Sequence, residues 1–201
     1  MIKSVVFDLG GVLIDWNPRY LYRKLFAGDE QAMEHFLAHV CNGPWNLRQD
    51  EGRSWAEAIE VLCADHPQHR PLISAYRERW DEMLNGPIEG TLEIVAELKD
   101  KGIPIYALTN WSAETFPIAK TRYDFLAWFR DILVSGREKL IKPDRRIYEL
   151  LLSRNGLLAA ESVFIDDALH NVEGAKAAGM AALHFQSPAK LRADLIGLGL
   201  L

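Results

Sequence analysis

The stretch from Ile2 to Asp15, IKSVVFDLGGVLID, constrains the chain more than any other. Val5, Val6 and Phe7 form an unbroken β-branched and aromatic run, the pattern of a strand covered on both faces in a parallel sheet. Asp8 closes that run. Gly10-Gly11 follows, where the backbone can turn sharply and approach a ligand closely. Open parallel sheets bind ligands at the carboxyl ends of their strands, so Asp8 is a candidate nucleophile or metal ligand. The plainer use of the same residues is a capped turn followed by a loop.

A chain of 201 residues with 49% hydrophobic content can bury one sizeable core, alone or with a small appended unit. Its net charge of −5 provides no basic surface for a nucleic-acid backbone, so no polynucleotide partner is expected, and small phosphorylated ligands are not excluded by it. No apolar run approaches the roughly 20 residues that span a bilayer, so no membrane partner is expected. The first residues lead straight into the opening strand without a cleavable apolar segment, which makes a cytoplasmic location the expectation. Cys41 and Cys63 have no C-x-x-C spacing and read as buried thiols. The pairs His35/His39 and His66/His69 lack the carboxylate or cysteine companions of a metal site.

After Asp15 the pattern turns helical for some seventy residues. Leu21, Leu25 and Phe26 mark one helix. Met33, Phe36, Leu37 and Val40 mark a second, with Asp29 as its cap. Gly43-Pro44 reads as a break and Trp45 to Gly52 as a loop. Ser54 with Glu57 forms a capping-box signature ahead of Trp55, Ile59 and Leu62. Ile73, Tyr76, Trp80 and Met83 share a further helical face that Asn85-Gly86-Pro87 stops. This is a small helical bundle inserted after the first strand. Trp55 and Trp80 fall on its periodic faces and read as core, whereas Trp16 and Trp45 fall outside them and are candidate ligand contacts.

From Thr91 helices and strands alternate as in βαβ units. Ile103 to Leu108 is a buried strand ending in Thr109-Asn110, and Ser112 is a candidate cap for the helix that follows. Ile132 to Val134 is a third strand. Lys142-Pro143 then precedes a helix that ends at Asn155-Gly156, with Pro143 expected in its first turn. Val163 to Ile165 runs into Asp166-Asp167, and Ala181 to Phe185 is the fifth strand. Leu191, Leu195 and Leu198 suggest a last helix.

Asp8, Thr109-Asn110, Lys142 and Asp166-Asp167 thus all follow strands, and in a parallel sheet these ends face one crevice. Three carboxylates together raise one another's pKa unless a cation joins them. Mg²⁺ suits Asp8, Asp167, Asp166, a carbonyl near Gly10 and a substrate phosphate. Thr109 and Asn110 offer hydrogen bonds, and Lys142 a charge, to the remaining phosphate oxygens, while Gly11 allows close backbone approach. Asp8 would then attack phosphorus in line. The alternative use of these residues has Asp166-Asp167 capping the next helix and Lys142 paired with Asp144.

Asp8-Leu-Gly-Gly-Val, Leu108-Thr109-Asn110, Lys142-Pro143 and Phe164-Ile-Asp-Asp167 together resemble the four motifs of the haloacid dehalogenase-like (HAD) hydrolases. The likeness spans the whole chain and leans toward the capped phosphatase branch that holds glucose-1-phosphate phosphatases and the N-terminal phosphatase domain of soluble epoxide hydrolase. It implies an α/β, Rossmann-like core with a five-stranded parallel sheet over residues 1–15 and 87–201, and a helical cap over residues 16–86. It also implies a Mg²⁺-dependent phosphatase that works through an aspartyl-phosphate on Asp8, with a small phosphorylated metabolite such as a sugar phosphate as substrate.

The sequence departs from the family pattern at one position. Family phosphatases carry a second aspartate two residues after the nucleophile, as acid and then base, and here that residue is Gly10. Either the gap favours leaving groups that need little protonation, such as an anomeric sugar oxygen, or Asp15, a cap residue such as Asp50, or a metal-bound water substitutes. Two rival functions follow from the gap. One is a 2-haloacid dehalogenase of the same fold, against which the paired Asp166-Asp167 argues. The other is a phosphate- or metal-binding regulatory protein without turnover. Specificity is expected from Trp16, Asn17, Trp45, Asn46, Arg48 and Asp50. Neither the substrate nor the oligomeric state is legible in the pattern.

Overall fold

The computed structural model describes residues 1–201. The chain opens with β1 (Ser4–Phe7) and β2 (Ile14–Trp16). Five helices follow: α1 (Arg19–Leu25), α2 (Glu30–His39), α3 (Gly43–Asp50), α4 (Trp55–Asp65) and α5 (Arg70–Glu78). The chain returns through β3 (Leu84–Pro87) to α6 (Glu89–Asp100), β4 (Ile105–Thr109), α7 (Phe116–Arg122) and β5 (Ile132–Val134). It closes with α8 (Ser135–Glu138), α9 (Arg145–Asn155), β6 (Ser162–Asp166), α10 (Leu169–Ala177), β7 (Ala181–His184) and α11 (Pro188–Gly197). No helix is long and apolar enough to cross a membrane.

Five strands form one parallel sheet in the order β5-β4-β1-β6-β7. Residues alternate between its faces, so Val5 and Phe7 join one apolar cluster and Val6 another. Helices cover both faces, which is why these strands lack polar alternation. The chain leaves β1 toward β4 on one side and reaches β6 on the other. This reversal beside β1 is where such sheets open a crevice.

The helical insertion is carried on a ribbon. Ile14, Asp15 and Trp16 pair antiparallel with Pro87, Gly86 and Leu84. The expected stop at Asn85-Gly86-Pro87 is therefore a strand, because its partner lies some seventy residues earlier and leaves no local signal. Asp29 accepts from the Ala32 N–H as its pattern predicts, and Ser54 accepts from the Glu57 N–H, the first half of the expected capping box. The expected loop over Trp45–Gly52 is instead α3: Asn42 accepts from the Trp45 N–H, and Pro44 occupies the first turn, where its missing N–H costs nothing. Cys41 and Cys63 are buried thiols.

Candidate active site

Asp8 follows the central strand and is nearly buried. Its Oδ1 accepts from the Leu9 N–H at 2.7 Å and lies 2.9 Å from Lys142 Nζ. The same ammonium donates to Asp166 Oδ2 at 2.7 Å. Lys142 and Asp166 are wholly buried. Lys142 thus bridges two carboxylates and does not pair with Asp144, which binds Arg146 instead.

The loop that carries Lys142 is fixed from two sides. Asn110 Oδ1 accepts from the Lys142 N–H at 2.9 Å, and its Nδ2 donates to the Lys142 carbonyl at 3.1 Å. Asn110, expected to bind phosphate, therefore first positions the lysine, although it also lines the cavity described below. On the other side, a Cβ at Gly174 would lie 2.9 Å from Pro143, so α10 approaches this loop closely. Pro143 is not the first turn of a helix. The helix begins at Arg145, with Asp144 accepting from the Arg146 N–H. Thr109 is buried at the end of β4, beside β1. Ser112 does not cap α7. Its hydroxyl accepts from the Glu114 N–H and from Trp55 Nε1.

Asp166 Oδ1 accepts from the Ala168 N–H and Asn171 Nδ2, and Nδ2 also reaches Oδ2. Both oxygens are thus already held by the protein. The expected helix-capping use survives in part, because the same carboxylate that meets Lys142 also turns the chain into α10. Asp167 is exposed, and its carboxylate lies against Gly11: a Cβ there would sit 2.3 Å from Asp167 Oδ2. Gly11 also has φ +73°, a conformation that favours glycine. Gly11→Ala is expected to destabilise the fold by about 1–2 kcal/mol and to displace Asp167. Urea unfolding checks the first effect, and a midpoint equal to that of the parent protein would refute it.

One carboxylate oxygen from each of Asp8, Asp166 and Asp167 lies within 4.8 Å of the other two. Burial raises the Asp8 pKa, Lys142 pulls it back, and Asp166 and Asp167 push it up again, leaving it above the ordinary carboxylate range. Burial and Asp166 likewise raise Asp167. Burial opposes the charge on Lys142, but Asp8 and Asp166 outweigh that and hold its pKa above the usual value. One ammonium among three carboxylates leaves an excess of negative charge. A hard divalent cation with oxygen ligands fits that donor set.

Beside this cluster lies a cavity of about 60 Å³, lined by Gly10, Trp16, Asn46, Asp50, Trp80, Asn110 and Trp111. The structure brings Trp16, Asn46 and Asp50 to it, as expected. Trp45 is not there: α3 turns its ring into the helical core, edge-on to Trp55 and Tyr76. Asn17 accepts from the Arg19 N–H just ahead of α1, and Arg48 is exposed beside Glu51. Trp80 and Trp111, with centroids 5.3 Å apart, were not expected at the cavity. Helical periodicity assigns Trp80 to the core, where most of its ring does lie, while Trp111 directly follows the Thr109-Asn110 strand end, a signal that was available.

A family model for haloacid dehalogenase-like hydrolases matches residues 2–179. The chain is 30% identical over 183 residues to the sesquiterpene phosphatase astK of Aspergillus oryzae, covering 90% of this chain and 89% of that one. It is 27% identical over 189 residues to a phosphorylated carbohydrates phosphatase of Thermotoga maritima, covering 91% and 84%. Among solved structures it superposes on a HAD family enzyme from Bacteroides thetaiotaomicron, in complex with magnesium and inorganic phosphate, with TM-score 0.71, 22% identity and coverage of 93% and 96%. The chain belongs to the haloacid dehalogenase-like hydrolases.

Proposed function

We propose that this hydrolase is a Mg²⁺-dependent phosphatase that acts on a small phosphorylated metabolite through an aspartyl-phosphate on Asp8. One observation carries the reading: a carboxylate at a strand end, bridged by Lys142 to a second acid, with a third acid close enough to share a cation. The names of the two curated relatives and the ligands of the Bacteroides enzyme support it.

In this reading Asp167 and Asp8 hold the cation, with the Gly10 carbonyl as a further ligand and Asp166 acting through Lys142. Bound Mg²⁺ would offset the negative charge of nucleophile and phosphate. Asp8 attacks phosphorus in line. Lys142 keeps Asp8 oriented and, with Thr109 and Asn110, faces the charge that develops on the phosphoryl oxygens. Residues 16–86 serve as a cap that covers the site and excludes water. The Trp16, Trp80 and Trp111 rings with the Asn46 amide suit either a sugar ring or an apolar alcohol.

The test is phosphate release from sugar phosphates, nucleotides, terpenyl phosphates and p-nitrophenyl phosphate, with Mg²⁺ or with chelator. Release that requires Mg²⁺ and falls to background with chelator is the expected result. Halide release from 2-haloacids that is indifferent to chelator, with no phosphate release, would overturn it.

A further inference from the structure

We propose that Asp50, presented by the last turn of α3, is the general acid and base of this reaction, the role that Gly10 leaves vacant; the assignment rests on the phosphatase reading above. Of the residues lining the cavity beside the nucleophile, Asp50 alone carries a carboxyl group, and Gly10 lines the same cavity. The side chain is seated. Its Oδ2 accepts from Asn46 Nδ2 at 3.2 Å, and its own carbonyl accepts from Ser135 Oγ at 2.6 Å, which fixes the end of α3 against the α/β core.

Asp15, the other acid close in sequence, is occupied elsewhere. Its Oδ2 accepts from Tyr20 and Asn85 on the ribbon side, and it does not line the cavity. Burial pushes the Asp50 carboxyl up to about 7 against the pull of the Ser112 amide and Lys142, so both protonation states are available near neutrality. The ionisable groups facing it are Lys142 and the buried Tyr76 hydroxyl, whose pKa burial raises so that it stays neutral.

The chemistry balances with this one group. As Asp8 forms its bond to phosphorus, the bond from phosphorus to the leaving oxygen breaks, and the Asp50 proton passes to that oxygen. The Asp50 carboxylate then takes a proton from water as the water oxygen attacks the aspartyl-phosphate. The bond from phosphorus to Asp8 breaks, which releases phosphate and restores both acids.

The experiment compares the parent enzyme with Asp50→Asn on an alkyl phosphate and on p-nitrophenyl phosphate, by rapid quench and at steady state. With the alkyl phosphate, whose leaving oxygen needs a proton, the variant is expected to lose about 10²–10³-fold in the first chemical step. With p-nitrophenyl phosphate it should give a burst of one nitrophenolate per site at close to the parent rate, then a slowed steady state as aspartyl-phosphate accumulates. No atom lies within 4 Å of a Cβ built at Gly10. Gly10→Asp in the Asp50→Asn background is therefore expected to restore at least about tenfold of the loss.

Equal slowing of both bursts, or an alkyl phosphate rate within threefold of the parent, would overturn the assignment and leave Asp50 as a structural contact. Should Asp50→Asn not fold, Asp50→Ser, which removes the acid and keeps a small polar group beside Asn46, carries the same comparison. A parent enzyme that releases no phosphate from any compound defeats the phosphatase reading itself, before any variant is compared.

Discussion

Lys142→Met is expected to be the most damaging single substitution in this chain. It leaves Asp8 and Asp166 buried with no cation between them, where the parent has contacts of 2.9 and 2.7 Å from one ammonium. Removing one partner from a buried ionic group typically costs about 3–5 kcal/mol, because the charge left behind is neither hydrated nor paired. Urea unfolding in chelator measures this, and a loss under about 1 kcal/mol would refute the bridging role. Adding Asp166→Asn should recover part of the stability, because one of the two orphaned charges is then gone. Phosphate release should not recover, because the charge facing the phosphoryl group remains absent. Lys142→Arg is no conservative repair, because a planar fork does not fit a fully buried site shaped for a point charge.

Asp8→Asn is expected to lower turnover by about 10⁴-fold or more while leaving the fold intact. The amide can still accept from the Leu9 N–H, and Lys142 keeps Asp166. The variant should also change how stability depends on pH in chelator. The folded-state pKa of Asp8 lies above its ordinary value, so its protonated form favours the folded state. That contribution is fully present below pH 4 and is lost as the pH rises through the folded pKa. Asparagine does not titrate, so the variant should lose less stability than the parent over the same rise in pH. Thermal melts at a series of pH values check this. Parallel curves for the two proteins would show that Asp8 carries no raised pKa, and turnover within tenfold of the parent would remove it as nucleophile.

The acids of this site were legible because each lies where an apolar run ends, and a parallel sheet turns such ends to one edge. Asp8, Thr109, Lys142, Asp166 and Asp167 all followed from that rule. What the pattern could not supply was the division of labour among them. Asn110 reads as a free donor, yet the structure spends its carbonyl oxygen and one of its two N–H groups on the backbone of Lys142. Asp166 reads as a metal ligand, yet its oxygens are held by Lys142, Asn171 and the Ala168 N–H.

The errors in the helical insertion have a different origin. Gly43-Pro44 reads as a break, although a proline in the first turn after a capped start opens a helix as readily as it ends one, and Asn42 is there to cap it. In α3 the Trp45 ring turns to Trp55 and Tyr76 and does not line the cavity. Trp80 shows the opposite limit, because a ring can be buried almost entirely and still give one edge to a cavity.

The contacts of Trp55 and Ser135 give the proposed cap a meaning beyond shelter. Trp55 donates from Nε1 to Ser112 Oγ and from its backbone N–H to Glu114, and Ser135 donates to the Asp50 carbonyl. These bonds join the helical insertion to the core at the same end of α3 that carries Asp50. If the insertion swings away to admit substrate, the proton donor leaves with it. On the proposed role of Asp50, the enzyme would then be wired like an interlock: water could reach an open site, but the group that would activate that water would be absent until the door is shut.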